Sequence, residues 1–239
     1  CTYPLSLNSS FVIIPNGAYV KQEVNQQINI DKLTVESGAT LRFDPVAGLK
    51  ILNGQPGADF IIEGTFIDRM GSGAGNGFSI EDNSGTANDA SWSISGTGTL
   101  IKTNSASASA YRDFYETGIA NIPATSNWIY RKDTLTSFIG FAGSTSAVAM
   151  HYPNLTLENT VSGNTYSSVF NIPSPQLSQF TMASTTNTMN IKGNFDVGGA
   201  GPGHINFLNA NTFAPLNVTG NTIVRAGDTL TNAAAPAYS

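Results

Sequence analysis

Short apolar runs, rarely longer than four residues, are separated along almost the whole chain by turns built on glycine, asparagine, serine or proline. The stretch Leu33–Leu41 sets the pattern. Val35 is followed three places on by Gly38 and three places later by Leu41, with small or polar residues between. Ile14, Gly17 and Val20 repeat the spacing, and so do Val224, Gly227 and Leu230. This is the pattern of a strand that ends, turns on a glycine free to take positive φ, and resumes. Trp92–Leu100 is close in form to Phe60–Phe66.

The spacing between copies carries the architectural argument. Gly17 and Gly38 are 21 residues apart (38 − 17), and Met189–Asn194 is echoed by Leu216–Asn221 at an offset of 27 (216 − 189). Val197 falls on Val224 at that same offset. Internal periods of about 20–50 residues mark solenoids and propellers. A period in the twenties, with no helical pattern between strands, predicts an all-β fold of the right-handed parallel β-helix (solenoid) type. Each circuit would bury its apolar side chains against its neighbours. At about 27 residues per circuit the chain makes roughly nine circuits, and strands about 4.8 Å apart give a rod roughly 40 Å long. A β-sandwich would show strands every 8–12 residues or so without long-range repetition.

The pattern weakens in the middle. Gly71–Gly77 is glycine-rich, and Thr103–Ala110 is low in complexity. Tyr111, Phe114 and Tyr115, at i, i+3 and i+4, would share one face of a short helix. Residues 103–127 are therefore expected to be a loop or short-helix excursion within one solenoid domain spanning 1–232, with 233–239 a linker or tail.

Composition narrows the function classes. Only 11% of the 239 residues are charged, and aromatics make up 10%. The net charge is −5, and the longest basic run is Arg131-Lys132, so nucleic acid is not an expected partner. No apolar run approaches the length needed to span a membrane. The single cysteine is Cys1, which excludes an intrachain disulfide and a thiolate metal centre. It has two readings: an arbitrary chain boundary, or the lipid-bearing cysteine of a processed bacterial lipoprotein.

Candidate chemistry is sparse. Asp59, Glu63, Asp68 and Arg69 could share an outer strand face, as a polysaccharide lyase or hydrolase would need, or could be an ordinary solvated surface. Glu81–Gly85 holds oxygen ligands without a calcium-loop spacing, and His151 and His204 lie far apart, so neither a metal nor another cofactor is expected. There is no Gly-x-Ser-x-Gly elbow and no phosphate loop. The aromatics Tyr111, Tyr115, Trp128 and Tyr130 are the candidate binding residues, because exposed rings stack on sugar faces; the alternative is that they pack the excursion onto the sheets. Asn8, Asn154 and Asn217 lie in Asn-x-Ser/Thr sequons.

Four segments, Trp92–Ile101, Trp128–Arg131, Tyr152–Leu157 and Ile191–Phe195, together resemble the large secreted surface proteins of Bacteroidetes, many of which use the type IX route. The resemblance implies a parallel β-helical stalk at the outer surface of a Gram-negative cell. It implies a non-catalytic structural or adhesive role, with surface polysaccharide or other copies of the chain as partners. Asp133-Thr134-Leu135 and Asp228-Thr229-Leu230 resemble the O-glycosylation site of that group, which makes Thr134 and Thr229 candidate modification positions beside Cys1. A polysaccharide-binding or polysaccharide-processing β-helix is the alternative function.

Overall fold

The computed structural model describes residues 11–23, 25–44, 47–52, 58–70, 78–80, 92–103, 123–133, 150–170, 189–209 and 216–232. These residues form an all-β structure of twenty-one short strands, with no helix among them. The central element is an eight-stranded sheet. In spatial order it contains β2 (Tyr19–Gln22), β5 (Thr40–Phe43), β8 (Thr65–Asp68), β11 (Thr99–Lys102), β12 (Asn127–Lys132), β14 (Asn154–Asn159), β17 (Phe195–Gly198) and β20 (Thr222–Val224). Spatial order equals chain order, and every pairing is parallel.

Four smaller parallel sheets flank it. Strands that precede a central strand form two of them. One contains β1 (Phe11–Ile14), β4 (Lys32–Val35), β7 (Phe60–Ile62) and β10 (Trp92–Ile94). The other contains β13 (Met150–Tyr152), β16 (Met189–Ile191) and β19 (Leu216–Val218). Strands that follow a central strand form the remaining two: β3 (Gln27–Ile30), β6 (Gly48–Ile51) and β9 (Phe78–Ile80), then β15 (Thr165–Phe170), β18 (His204–Asn209) and β21 (Thr229–Asn232). Around β2, β5, β8, β14, β17 and β20 the chain visits flank, centre and flank in turn, while among the described strands β11 is followed directly by β12.

The sequence echoes become strand pairs. Trp92 pairs with Phe60 and Leu100 with Phe66. Met189 pairs with Leu216, and Val197 with Val224. The three glycine turns, however, do not occupy one corner. Those at Gly17 and Gly38 join β1 to β2 and β4 to β5, whereas that at Gly227 joins β20 to β21. The local chemistry is the same at both corners. Ala18 N donates to the Pro15 carbonyl at 2.9 Å, Ala39 N to Glu36 at 2.9 Å and Asp228 N to Arg225 at 3.0 Å, with φ of 75°, 79° and 88° at the three glycines. A turn with its third residue at positive φ suits glycine, and such a turn fits any corner.

Alternation along the strands sets the core. In β4, β5 and β8 every second side chain is buried. One buried row crosses the central sheet through Leu41, Phe66, Leu100, Trp128, Leu155 and Phe195, in register. Aromatics interlock between sheets. Phe60 meets Phe66 edge to face at 4.9 Å, Trp128 meets Tyr152 at 5.2 Å and Phe195 meets Phe207 at 5.5 Å.

A second device holds the corner entering β14, β17 and β20. Asn154 Nδ2 donates to the carbonyls of Ala124 (2.8 Å) and Ser126 (2.9 Å), while its Oδ1 accepts from Asn194 N at 2.8 Å. Asn194 Oδ1 in turn accepts from Asn221 N at 2.9 Å. An asparagine amide offers both donors and an acceptor, so it can satisfy backbone groups on two sides of itself. The excursion expected around 103–127 lies mostly outside the described residues, as does the short helix expected there from Tyr111, Phe114 and Tyr115; Thr103 follows β11, and Pro123–Ser126 turns into β12.

Candidate functional site

Charge concentrates where the central strands end. Asp44, just past β5, accepts a hydrogen bond from Arg42 Nε at 2.8 Å and another from Arg69 Nη1 at 3.4 Å, and Lys21 Nζ lies 3.3 Å away. Arg69 also holds Asp133 at 2.9 Å. Arg131 pairs with Glu158 across β12 and β14 at 2.5 Å. The result is a ladder of ion pairs running across successive strands, to which Lys21–Glu23 and Arg225–Asp196 add further pairs.

Asp68 and Lys102 belong to the inside. They occupy the buried row that also contains Phe43 and Tyr130, and their side chains are 0% and 2% exposed. Lys102 Nζ donates to Asp68 Oδ2 at 2.9 Å, and Met70 N donates to Asp68 Oδ1 at 2.9 Å. The backbone supports the site, because Thr103 N donates to the Asp68 carbonyl at 2.9 Å. Lys132 is also buried, in register with the buried Asn159.

The electrostatics follow from these contacts. Burial of Asp44 works to raise its pKa, but hydrogen bonds from Arg42 and Lys21 outweigh it and hold the carboxylate below its ordinary value. Burial pushes the Lys132 ammonium below its ordinary value, with Asp133 opposing the shift. Arg69 Nε is buried and finds no acceptor among the described residues.

The outer carboxylate face that Asp59, Glu63, Asp68 and Arg69 could have shared does not form. Asp59 and Asp68 are 1% and 0% exposed, and Arg69 is engaged by Asp44 and Asp133. Alternation is the reason: with Phe66 inward, Asp68 two places on is inward too. The expectation of exposed rings also fails at Trp128 and Tyr130. Both point into the core, at 0% and 1% exposure, and the Tyr130 and Tyr152 hydroxyls lie 3.3 Å apart in the interior. Tyr111 and Tyr115 lie outside the described residues, as do Cys1, Thr134, Asn8 and Glu81–Gly85.

Thr229 is exposed, with its hydroxyl 2.9 Å from Asn206 Oδ1; the preceding Asp228 turns its side chain inward to accept from Ile205 N. His204 Nδ1 stands 3.8 Å from that same Asp228. His151 lies on β13. Of the sequon asparagines, Asn154 is built into its corner, and Asn217 is exposed and donates to Asn190. No group of three or more His, Cys, Asp or Glu side chains is arranged to hold a metal ion among the described residues, and none of their helices is long and apolar enough to cross a membrane.

The inward pair had a trace in the sequence. Extending the Phe60–Phe66 and Trp92–Leu100 match by two residues aligns Asp68 with Lys102, opposite charges at one strand position. In chemical terms, five acids each have a cation: Asp44 with Arg42, Asp68 with Lys102, Asp133 with Arg69, Glu158 with Arg131, and Asp196 with Arg225. Apart from Asp44 with Arg42, two residues apart, these pairs tie strands together. No protein family, curated protein or solved structure matches the chain.

Proposed function

We infer that the chain is a right-handed parallel β-solenoid serving as a rigid, non-catalytic structural or adhesive segment of a secreted or cell-surface protein. One observation carries the reading: eight parallel central strands stacked in chain order, six of them preceded and followed by flanking strands in the same cycle. A chain that repeatedly returns to the same sheet one place further along grows in one direction. Eight strands at about 4.8 Å spacing give a length of roughly 34 Å. The ion-pair ladder and the asparagine corner support a load-bearing role, since both join neighbouring circuits. The resemblance of the repeat segments to Bacteroidetes surface proteins supports the location.

A crystal structure of the purified chain, combined with digestion assays on a panel of bacterial surface polysaccharides, tests this. A single right-handed coil of stacked parallel circuits with no release of reducing ends or unsaturated products is expected. Strands that do not wind about one axis sink the solenoid, and polysaccharide turnover sinks the non-catalytic role.

A further inference from the structure

We propose that the two end circuits are complementary, so that a second copy of this chain stacks β1–β2–β3 onto β19–β20–β21 of the first. This rests on the solenoid reading and names its partner.

The core runs out to both ends. The partly buried apolar side chains packed against it are Val12, Ala18, Val20 and Ile28 at one end and Leu216, Val218 and Leu230 at the other. Val224 is in the buried row of the central sheet, above Val197 at 0% exposure, and is itself 43% exposed. At the opposite end the inward Val12 and Val20, in register with the buried Leu33 and Leu41, are only partly buried, while Phe11, Ile13 and Tyr19 are exposed on the outer face. Among the described residues, β2 pairs with β5 alone and β20 with β17 alone. Soluble proteins guard such edges with charges or proline. Here β1, β3, β19, β20 and β21 contain neither, and β2 contains one charge, Lys21.

Register and charge select the occupant. The row that contains Gln22, Phe43, Asp68 and Lys102 ends at Val224, so a further strand in that row would place Gln22 of the second copy on Val224. One residue on, Glu23 then meets Arg225. Both side chains are exposed, at 61% and 50%, and within the chain their contacts are Lys21 on the same strand and Asp196 on the neighbouring one. The following corner also matches: Gln22 to Ile28 is six residues (28 − 22), and Val224 to Leu230 is six (230 − 224). Stacking unlike ends keeps every strand parallel, whereas stacking like ends reverses strand direction and loses this register. A head-to-tail contact does not close on itself, so it builds open chains of subunits.

Sedimentation velocity on the full 239-residue chain over a range of concentrations tests the proposal. Species at integer multiples of 25.1 kDa that grow with concentration are expected. Glu23→Arg alone and Arg225→Glu alone should each weaken association about tenfold, and the combined reversal should restore it to within about threefold of the parent. Thermal melts of the variants, altered only at exposed side chains, establish that each is folded. A monomer at every concentration overturns the proposal, as does a double reversal no better than the singles. Exchange-protected β20 amides in a monomer also overturn it, because another part of the chain would then occupy the edge. A crystal structure separates the two readings: a solenoid that stays monomeric in sedimentation sinks only the stacking, and strands that do not wind about one axis sink the solenoid beneath it.

Discussion

A methyl group added at Gly64 would lie 2.3 Å from the Glu36 carbonyl oxygen and 2.5 Å from that of Ala39, both fixed backbone atoms. At Gly17 it would meet nothing within 4 Å, so only the positive φ opposes a side chain there. Gly17→Ala should therefore lose about 1–2 kcal/mol, and Gly64→Ala should lose more, in urea titrations of the two variants. The buried ion pair makes a sharper test. Removing either charge takes the other's ion-pair partner out of the interior, so Asp68→Leu or Lys102→Met alone should cost about 3–5 kcal/mol, and the double variant should recover most of it. A double-mutant cycle measures the coupling. Asp44 sets part of the acid response. Its folded pKa lies below the ordinary 3.8, so the unfolded chain takes the proton first as pH falls. The stability it contributes is complete above that ordinary value and is lost as pH drops through the folded one. Asp44→Asn should lower stability at neutral pH and flatten the acid limb of a stability-against-pH curve.

Among the elements, the asparagine corner is the joint most open to test. Asn154→Ala removes the side-chain bonds to the Ala124 carbonyl and the Asn194 amide and one of the two to the Ser126 carbonyl, and should cost about 1–3 kcal/mol. Asn217→Ala, at an exposed side chain bonded only sideways to Asn190, should stay within about 0.5 kcal/mol by thermal melting. The elements themselves were largely legible. Glycine turns and short β-branched runs mark most strand ends, and the matched segments at Phe60 and Trp92 pair in register. What resisted reading was facing. In Asn127–Lys132, Trp128, Ile129 and Tyr130 are all apolar, so the sequence does not say which alternate set is buried, and a one-residue change of choice turns every side chain over. The structure buries Trp128, Tyr130 and Lys132, which removes two rings from any sugar-binding face. Lys102 and Lys132 resisted for a related reason: a cation at a strand end reads as solvated unless the partner circuit is known. The corner of the third glycine turn was equally hidden, since its chemistry suits any bend.

Over the whole molecule, the central sheet stays in register although its strands are unevenly spaced along the chain. Tyr19 and Thr40 pair across 21 residues (40 − 19), and Leu155 and Phe195 across 40 (195 − 155). No pairing in that sheet spans a longer interval. This bears on how the chain reaches its structure. Each new strand closes a loop of only a few tens of residues, and doubling such a loop adds only about 0.6 kcal/mol of closure entropy. Each strand also needs only the strand before it as a template, so assembly is sequential rather than global. A growing polypeptide can therefore commit its early strands to the sheet while later ones are still being made. Lengthening one connection would slow a single step and leave the rest of the order of assembly unchanged.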